Sequence, residues 1–266
     1  MTSSPLATLT DALSYAKFLI RRTTFYETKP TKTPPPELAE AFEQLSRDGV
    51  AVVPRFMPEA VVKAMCEGLP PLEQFDESPE ADKSIAFSGA DRVPNLSPFF
   101  HDPRLRRFVQ AYIGDDATPI RRKVEIRRTK GDVLAFDRLF HMDTWKHRLK
   151  FFLYLHDVGE ADAPLVYLKG SHKGGWRRRT EWLIDRNYKV GPTGYAANTD
   201  LSYIGCFWPY EINEIKARHD YSEFWCTAPI GSLIMFDARG VHRATPLLGH
   251  SRTLLIDYWV RQGHHI

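Results

Sequence analysis

Cysteine is scarce in this chain. Cys66, Cys206 and Cys226 are the three present, far apart and without a CxxC pair. That excludes a disulfide framework and a cysteine-built zinc site, and it fits a reducing compartment. Long apolar runs are also missing. No stretch reaches the roughly 18–20 residues that span a bilayer. The apolar stretch nearest the N-terminus, residues 15–20, is short and carries Lys17, so it is no secretory signal. The expected location is cytoplasmic, with no membrane span. Nor is there an excess of one charge: 36 Lys and Arg stand against 33 Asp and Glu, a net of +3. That is too mild to make nucleic acid the main partner. Internal repeats are absent, and low complexity is confined to the proline-rich stretch at residues 30–36.

What is present is an ordinary globular composition, 43% hydrophobic and 26% charged, over 266 residues. One large domain or two small ones can be built from this length. Residues 8–25 have apolar positions at Leu9, Leu13, Ala16, Phe18, Leu19 and Ile20, and read as a helix. A packed helix is the simpler expectation for it; the alternative is a basic amphipathic segment that touches a partner or a lid. The proline-rich stretch then reads as an extended linker. This divides the chain into an appendage, 1–36, and a single domain, 37–266. Leu38, Ala41, Phe42 and Leu45 mark a second helix, ended by Asp48-Gly49, before a β-branched strand at 50–54. Helices follow at 58–67 and 103–112, separated by a polar, loop-like stretch, 76–103. Such a stretch can be a pocket wall or lid, or a plain surface excursion.

From residue 120 onward strands dominate. Val124 and Ile126 alternate with Lys123, Glu125 and Arg127, a half-buried strand whose charged face is expected at the surface. If that face lined a pocket instead, Lys123 and Arg127 would suit an anionic substrate. Strands are further expected at 150–158, 165–168, 228–236, 241–245 and 253–260, with a turn-rich insert at 188–221. Lys173 and Arg177 to Arg179 read as a solvated basic face, with attraction of an anionic substrate as the sharper alternative. Many strands behind short helices predict a mainly β architecture: an N-terminal helical layer packed on an antiparallel sandwich or barrel.

The chemistry centres on Phe140-His141-Met142-Asp143. On an extended chain, side chains at i and i+2 share a face, so His141 and Asp143 converge. An imidazole and a carboxylate supply two of the three ligands of the facial triad that holds non-haem Fe(II). The best candidate for the third is His242, after the strand-like run from Gly231. Ten positions on, Arg252 opens another strand-like run, where an arginine can grip a small carboxylate co-substrate bidentately. H-x-D alone is weak: His141 by itself reads as a core histidine, and Asp143 as a cap for the next turn. The ordered set of four carries the metal reading. His172, in a Gly-Ser-His turn, is expected to hydrogen-bond locally. His147 and His156 are expected at the surface or behind the ligands. Trp145 could stack on a substrate or close the barrel mouth.

These residues resemble the phytanoyl-CoA dioxygenase family of Fe(II)/2-oxoglutarate-dependent oxygenases over roughly residues 37–260. The likeness runs through Phe42 and Asp48-Gly49-Val50-Ala51-Val52-Val53-Pro54, and through Phe152 to Val158. It continues in Pro164 to Lys173 and in Gly231 to Phe236, followed by His242 and Arg252. Lys169 stands where the family usually has proline before Gly-Ser-His, and Ala163 where glycine is common. The resemblance implies a double-stranded β-helix (jelly-roll, cupin-like) core. It implies that His141, Asp143 and His242 bind Fe(II), that Arg252 holds the distal carboxylate of 2-oxoglutarate, and that Thr245 assists it. With O₂, such an enzyme oxidises a C–H bond of a small molecule, most simply by hydroxylation, and releases succinate and CO₂. Related halogenases have a small residue in place of the carboxylate, so Asp143 favours hydroxylation, desaturation or ring formation. The expected substrate is anionic or partly apolar. The rival expectation is a metal-binding jelly roll that senses or binds without turnover; Arg252 argues against it, because a bare metal site needs no carboxylate clamp.

Overall fold

The computed structural model describes residues 5–25, 30–77, 84–128, 139–190 and 205–261. In chain order the helices are α1 (Pro5–Phe25), α2 (Ala39–Asp48), α3 (Glu59–Glu67), α4 (Ser97–Phe100), α5 (Pro103–Tyr112), α6 (Arg178–Val190) and α7 (Pro209–His219). The strands are β1 (Val50–Val53), β2 (Asp76–Glu77), β3 (Ser84–Ser88), β4 (Ala117–Arg127), β5 (Arg148–Tyr154), β6 (Leu165–Leu168), β7 (Glu223–Trp225), β8 (Leu233–Asp237), β9 (His242–Ala244) and β10 (Arg252–Arg261). A seven-stranded antiparallel sheet has the order β1-β8-β5-β10-β4-β3-β2, and a three-stranded sheet the order β7-β6-β9. This is the jelly-roll core with flanking helices that the sequence led us to expect. No described helix is long and apolar enough to cross a membrane.

Strand register decides what faces what. Residues directly opposite across a ladder share a face, and faces alternate along a strand. Lys150, Phe152 and Tyr154 of β5 pair with Tyr258, Ile256 and Leu254 of β10. Phe236 and Ile234 of β8 pair with Lys150 and Phe152. These rings and aliphatics form one apolar cluster with Tyr167 of β6, so this face looks toward the smaller sheet. The alternate set, Phe151, Leu153, Met235 and Leu255, packs against α2, α3 and α5 through Leu45, Val62, Phe108 and Val109. The large sheet therefore has an inner face toward β6 and an outer face under helices.

Several elements follow from local chemistry. Asp102 caps α5 by accepting from the Arg104 backbone N–H at 2.8 Å, and Pro103 opens the helix without losing a needed donor. Gly49 ends α2 with φ +82°, and a Cβ there would lie 2.5 Å from both His172 Nδ1 and the Tyr167 hydroxyl oxygen. Only glycine meets both demands.

Four expectations need correction. The 76–103 stretch is not a free loop: Ser84–Ser88 pairs with β4, and Leu96, Phe99 and Phe100 are buried in the main core. Its apolar side chains fill the core edge, so the described part is a wall. The charged face of β4 is not at the surface. Lys123, Glu125 and Arg127 are 5%, 7% and 1% exposed, because their partners on β10 point to the inner face. Arg177 is likewise buried, paired with Glu181 at 3.0 Å. The helices α6 and α7 lie where turns and a basic face were read; residues 191–204 of that insert are outside the described set, as are His264 and His265.

Helix α1 is packed. Phe18, Tyr15 and Leu19 meet Trp145, Trp182 and Leu183. Phe18 sits edge-on to Trp145 with centroids 5.4 Å apart. Arg21 pairs with Asp185, and Arg22 reaches Glu181 at 2.7 Å. Trp145 thus closes against α1, and its Nε1–H donates to Asp185 at 3.2 Å. Phe18→Ala should destabilise this docking by about 3 kcal/mol. Hydrogen exchange should then show α1 unprotected while β5, β8 and β10 stay protected; unchanged protection of α1 would refute the assignment.

Candidate metal centre

His141 lies outside any strand, in a bridge with His242 at the start of β9. The His141 N–H donates to the His242 carbonyl at 2.8 Å, and the His242 N–H to the His141 carbonyl at 2.9 Å. Residues that exchange both bonds sit directly opposite one another, with side chains on the same face. The two imidazole centroids are 4.5 Å apart. Asp143 enters from the same segment, its N–H donating to the Ala238 carbonyl at 3.1 Å. The convergence expected from an extended H-x-D is therefore reached, through cross-links to the 238–242 turn instead of a regular strand.

Each ring is oriented by a carbonyl two residues before it. His141 Nδ1–H donates to Leu139 O at 2.8 Å, and His242 Nδ1–H to Gly240 O at 2.9 Å. A carbonyl can only accept, so Nδ1 carries the proton in both rings, and Nε2 is the nitrogen of each that could ligate a metal. His141 Nε2 is 3.5 Å from Asp143 Oδ1, and His242 Nε2 is 3.8 Å from Oδ2. One ligand atom from each of the three lies within 4.8 Å of the others. Two imidazoles and one carboxylate are the donor set of a non-haem Fe(II) site.

The electrostatics favour the ligand forms. Burial pushes the His242 imidazole down, and the neighbouring His141 adds to this, holding it at about 3. It is neutral at pH 7, as ligation needs. Burial would raise the Asp143 carboxyl, but the Lys150 ammonium and the two histidines outweigh it and hold it well below the usual range.

Lys150 was not anticipated. Its Nζ lies 2.5 Å from Asp143 Oδ2 and 4.4 Å from the Tyr258 ring centroid. Its one sequence signal is a lysine inside the apolar run Leu149 to Leu155, where an exposed position is implausible.

Arg252 and Thr245 flank one turn. Arg252 Nη1 donates to the Ala163 carbonyl, and Thr245 Oγ1 to the Pro164 carbonyl at 3.2 Å. Arg252 Nη2 is 3.5 Å from Glu125 Oε1, and Lys123 Nζ is 2.8 Å from Glu125 Oε2. Burial would raise the Glu125 carboxyl, but Lys123, Arg252 and Arg127 hold it at about 2. Arg252 opens β10 on the inner face, opposite Arg127. His156 stands behind it, accepting the Thr253 N–H at 2.9 Å. His172 does not serve its own turn as expected but ties it to α2, donating Nε2–H to Ser46 O at 3.4 Å. His147 Nε2 accepts from Arg239 at 2.8 Å.

Comparisons with known proteins complete the picture. No curated protein sequence matches the chain. Among solved structures, the non-haem α-ketoglutarate-dependent epimerase SnoN of nogalamycin biosynthesis superposes with a TM-score of 0.60 at 17% identity, covering 85% of this chain and 83% of that one. The carbocyclase SnoK of the same biosynthesis gives 0.60 at 17% identity, with 84% and 83% covered. HygX from Streptomyces hygroscopicus, solved with nickel and 2-oxoglutarate, gives 0.55 at 16% identity, with 87% and 89% covered. At these identities the likeness is one of fold. The family model for phytanoyl-CoA dioxygenase, however, matches residues 45–253, and the chain belongs to that family of Fe(II)/2-oxoglutarate-dependent oxygenases.

Proposed function

We propose that His141, Asp143 and His242 hold Fe(II), that Arg252 with Thr245 holds 2-oxoglutarate, and that the chain hydroxylates a C–H bond of a small anionic molecule. The observation that carries this is the meeting of two imidazoles and one carboxylate, with one ligand atom of each within 4.8 Å of the others. When bound, Fe(II) with 2-oxoglutarate and O₂ supplies the oxidising power: one oxygen atom goes to succinate, CO₂ leaves, and the other oxygen goes to the substrate.

The protein's own residues do the rest. The Leu139 and Gly240 carbonyls fix both imidazole tautomers. Lys150 steadies one oxygen of Asp143. Arg252 presents a buried planar fork of donors, which suits a carboxylate better than an ammonium would. Phe236, Phe152, Ile234 and Leu254 exclude water from the inner face. Its structural neighbours SnoN, an epimerase, and SnoK, a carbocyclase, mark other reaction outcomes on this fold. Retention of Asp143 supports hydroxylation as the first reaction to test.

Charge supports an anionic substrate: among the described residues, Lys123, Arg127, Lys150 and Arg252 are buried on the inner face beside Glu125 and Asp143, and a cationic lining attracts an anion.

Three measurements test this reading. Anaerobic addition of Fe(II) and 2-oxoglutarate should give the weak visible charge-transfer band of the chelate, absent in His242→Ala; a folded wild type without the band would return the binding-protein reading to the front. Arg252→Ala should weaken 2-oxoglutarate binding by about tenfold or more, equivalent to about 1.4 kcal/mol, with metal affinity little changed; unaltered 2-oxoglutarate affinity would remove Arg252 from the clamp. Lys150→Met should lower metal affinity by about 10–100-fold, the usual effect of losing a group that orients a ligand. Equal Co(II) titrations for wild type and variant would show that Lys150 does not hold Asp143 for the ion.

A further inference from the structure

Asp237 ends β8 and opens the turn into β9. Alternation along the strand sends its side chain away from the triad. Phe236 faces inward, its ring 5.0 Å from that of His242. Asp237, the next residue, pairs with Leu149, which belongs to the core under the helices. Its carboxylate is 0% exposed. A charge buried that deeply is costly unless it is paired and hydrogen-bonded.

The bonds it makes shape the turn. Asp237 Oδ1 accepts the Arg239 backbone N–H at 3.0 Å, an Asx-turn. The Asp237 carbonyl accepts the Gly240 N–H at 3.0 Å, which closes a β-turn over residues 237–240. The Arg239 guanidinium folds back on the carboxylate, its Nε donating to Oδ1 at 2.9 Å. Tyr112 of α5 donates its hydroxyl to Oδ2 at 2.8 Å. Burial would raise the Asp237 carboxyl, but Arg239 outweighs this and holds it well below the usual range. The ionised acid therefore grips the turn from one side and α5 from the other.

That same turn carries the acceptors on which the metal centre hangs. Ala238, its second residue, accepts the Asp143 N–H at 3.1 Å. Gly240, its fourth, accepts from His242 Nδ1 at 2.9 Å and so orients the ring. Rotating these peptides would shift the Asp143 segment and the His242 imidazole together.

We propose that Asp237 is a positioning residue of the metal centre, acting from the outer face of the sheet by setting the turn whose carbonyls place Asp143 and the His242 ring. The proposal rests on the iron reading above. Asp257 shows what a buried carboxylate without this role looks like. It is 1% exposed and accepts from Arg122 at 3.2 Å and from Trp259 Nε1–H at 2.8 Å. Neither partner lies in a segment that carries a proposed iron ligand.

The test is titration of the full-length, metal-free chain with Co(II), read from its visible bands, together with amide hydrogen exchange before metal is added. Asp237→Asn keeps an oxygen for the Arg239 N–H but loses the charge, and Asp237→Ala loses both. Co(II) affinity should fall about tenfold in the first and about 100-fold in the second, the range found when a group that orients a ligand is lost. The Asp143 amide should exchange faster in both. Asp257→Asn should lower the melting temperature and leave Co(II) affinity and Asp143 exchange as in wild type. Thermal melts check folding, and the near-isosteric Asp237→Asn decides the matter if Asp237→Ala does not fold. Wild-type affinity in Asp237→Asn, or an equal loss in Asp257→Asn, would overturn the proposal and leave the iron reading standing. Equal Co(II) affinity in wild type and His242→Ala would sink the iron reading, and the proposal with it.

Discussion

The reciprocal pair of backbone hydrogen bonds between His141 and His242 is the constraint on which the site depends. Three ligands from distant parts of a chain meet only if their backbones are registered to within a fraction of an ångström. Here one two-bond bridge registers two of them, and the Asp143 N–H to Ala238 bond registers the third against the same turn. All three positions therefore hang on residues 238–242. That turn is itself pinned. The Tyr167 hydroxyl donates to the Asp237 carbonyl at 2.9 Å, and a Cβ on Gly240 would fall 1.7 Å from the same hydroxyl. A glycine is needed there because a tyrosine from the small sheet occupies the space.

That His141, Asp143 and His242 come together was legible in the sequence because an H-x-D pair on extended backbone shares a face. Strands were legible where burial on both faces leaves continuous apolar runs, as in Phe151 to Leu155. What misled was the inference from charge to exposure. The alternation along β4 was visible, but alternation states only that two faces differ, not which one is inside. That choice is made by β3 and β10, whose pairing turns Lys123, Glu125 and Arg127 inward. Arg177 misled in the same way, because Glu181 one helical turn on pairs with it. Lys150 was legible only as an oddity in an apolar run, and its meaning required knowing that Asp143 lies across the fold. Helix α7 was hidden by the turn-forming residues around it, although Glu211 accepting the Trp208 N–H at 2.7 Å is a local cap.

The N-terminal helix bears on the same centre by another route. Trp145 follows Asp143 by two residues, and it is held by Phe18 and Arg21 of α1 and by Asp185 of α6. The segment carrying His141 and Asp143 is therefore tethered at both ends: by the bridge to His242 at one, and by a buried indole at the other. Aromatic edge contacts add about 0.5–1.5 kcal/mol beyond burial, enough to restrict a segment that no sheet ladder holds. Trp145, open between substrate contact and closure in the sequence, closes the structure against α1.

Lys150 shows why the inner face tolerates so much charge. A buried carboxylate with only histidines for company would be driven to take up a proton, and a protonated acid is a poor ligand. The ammonium at 2.5 Å from Oδ2 prevents this, while Oδ1 remains turned toward His141 at 3.5 Å. The lysine is supported in turn by the Tyr258 and Phe236 rings, at 4.4 Å and 5.6 Å, a cation–π environment that offsets part of its desolvation. Glu125 stands in the same relation to Arg252, which lies 3.5 Å from it, while it also takes Lys123 at 2.8 Å. Each of these buried charges is thus oriented by a partner of opposite sign. A jelly roll built only for stability would have filled these positions with apolar side chains, as Phe151, Leu153, Met235 and Leu255 do on the outer face.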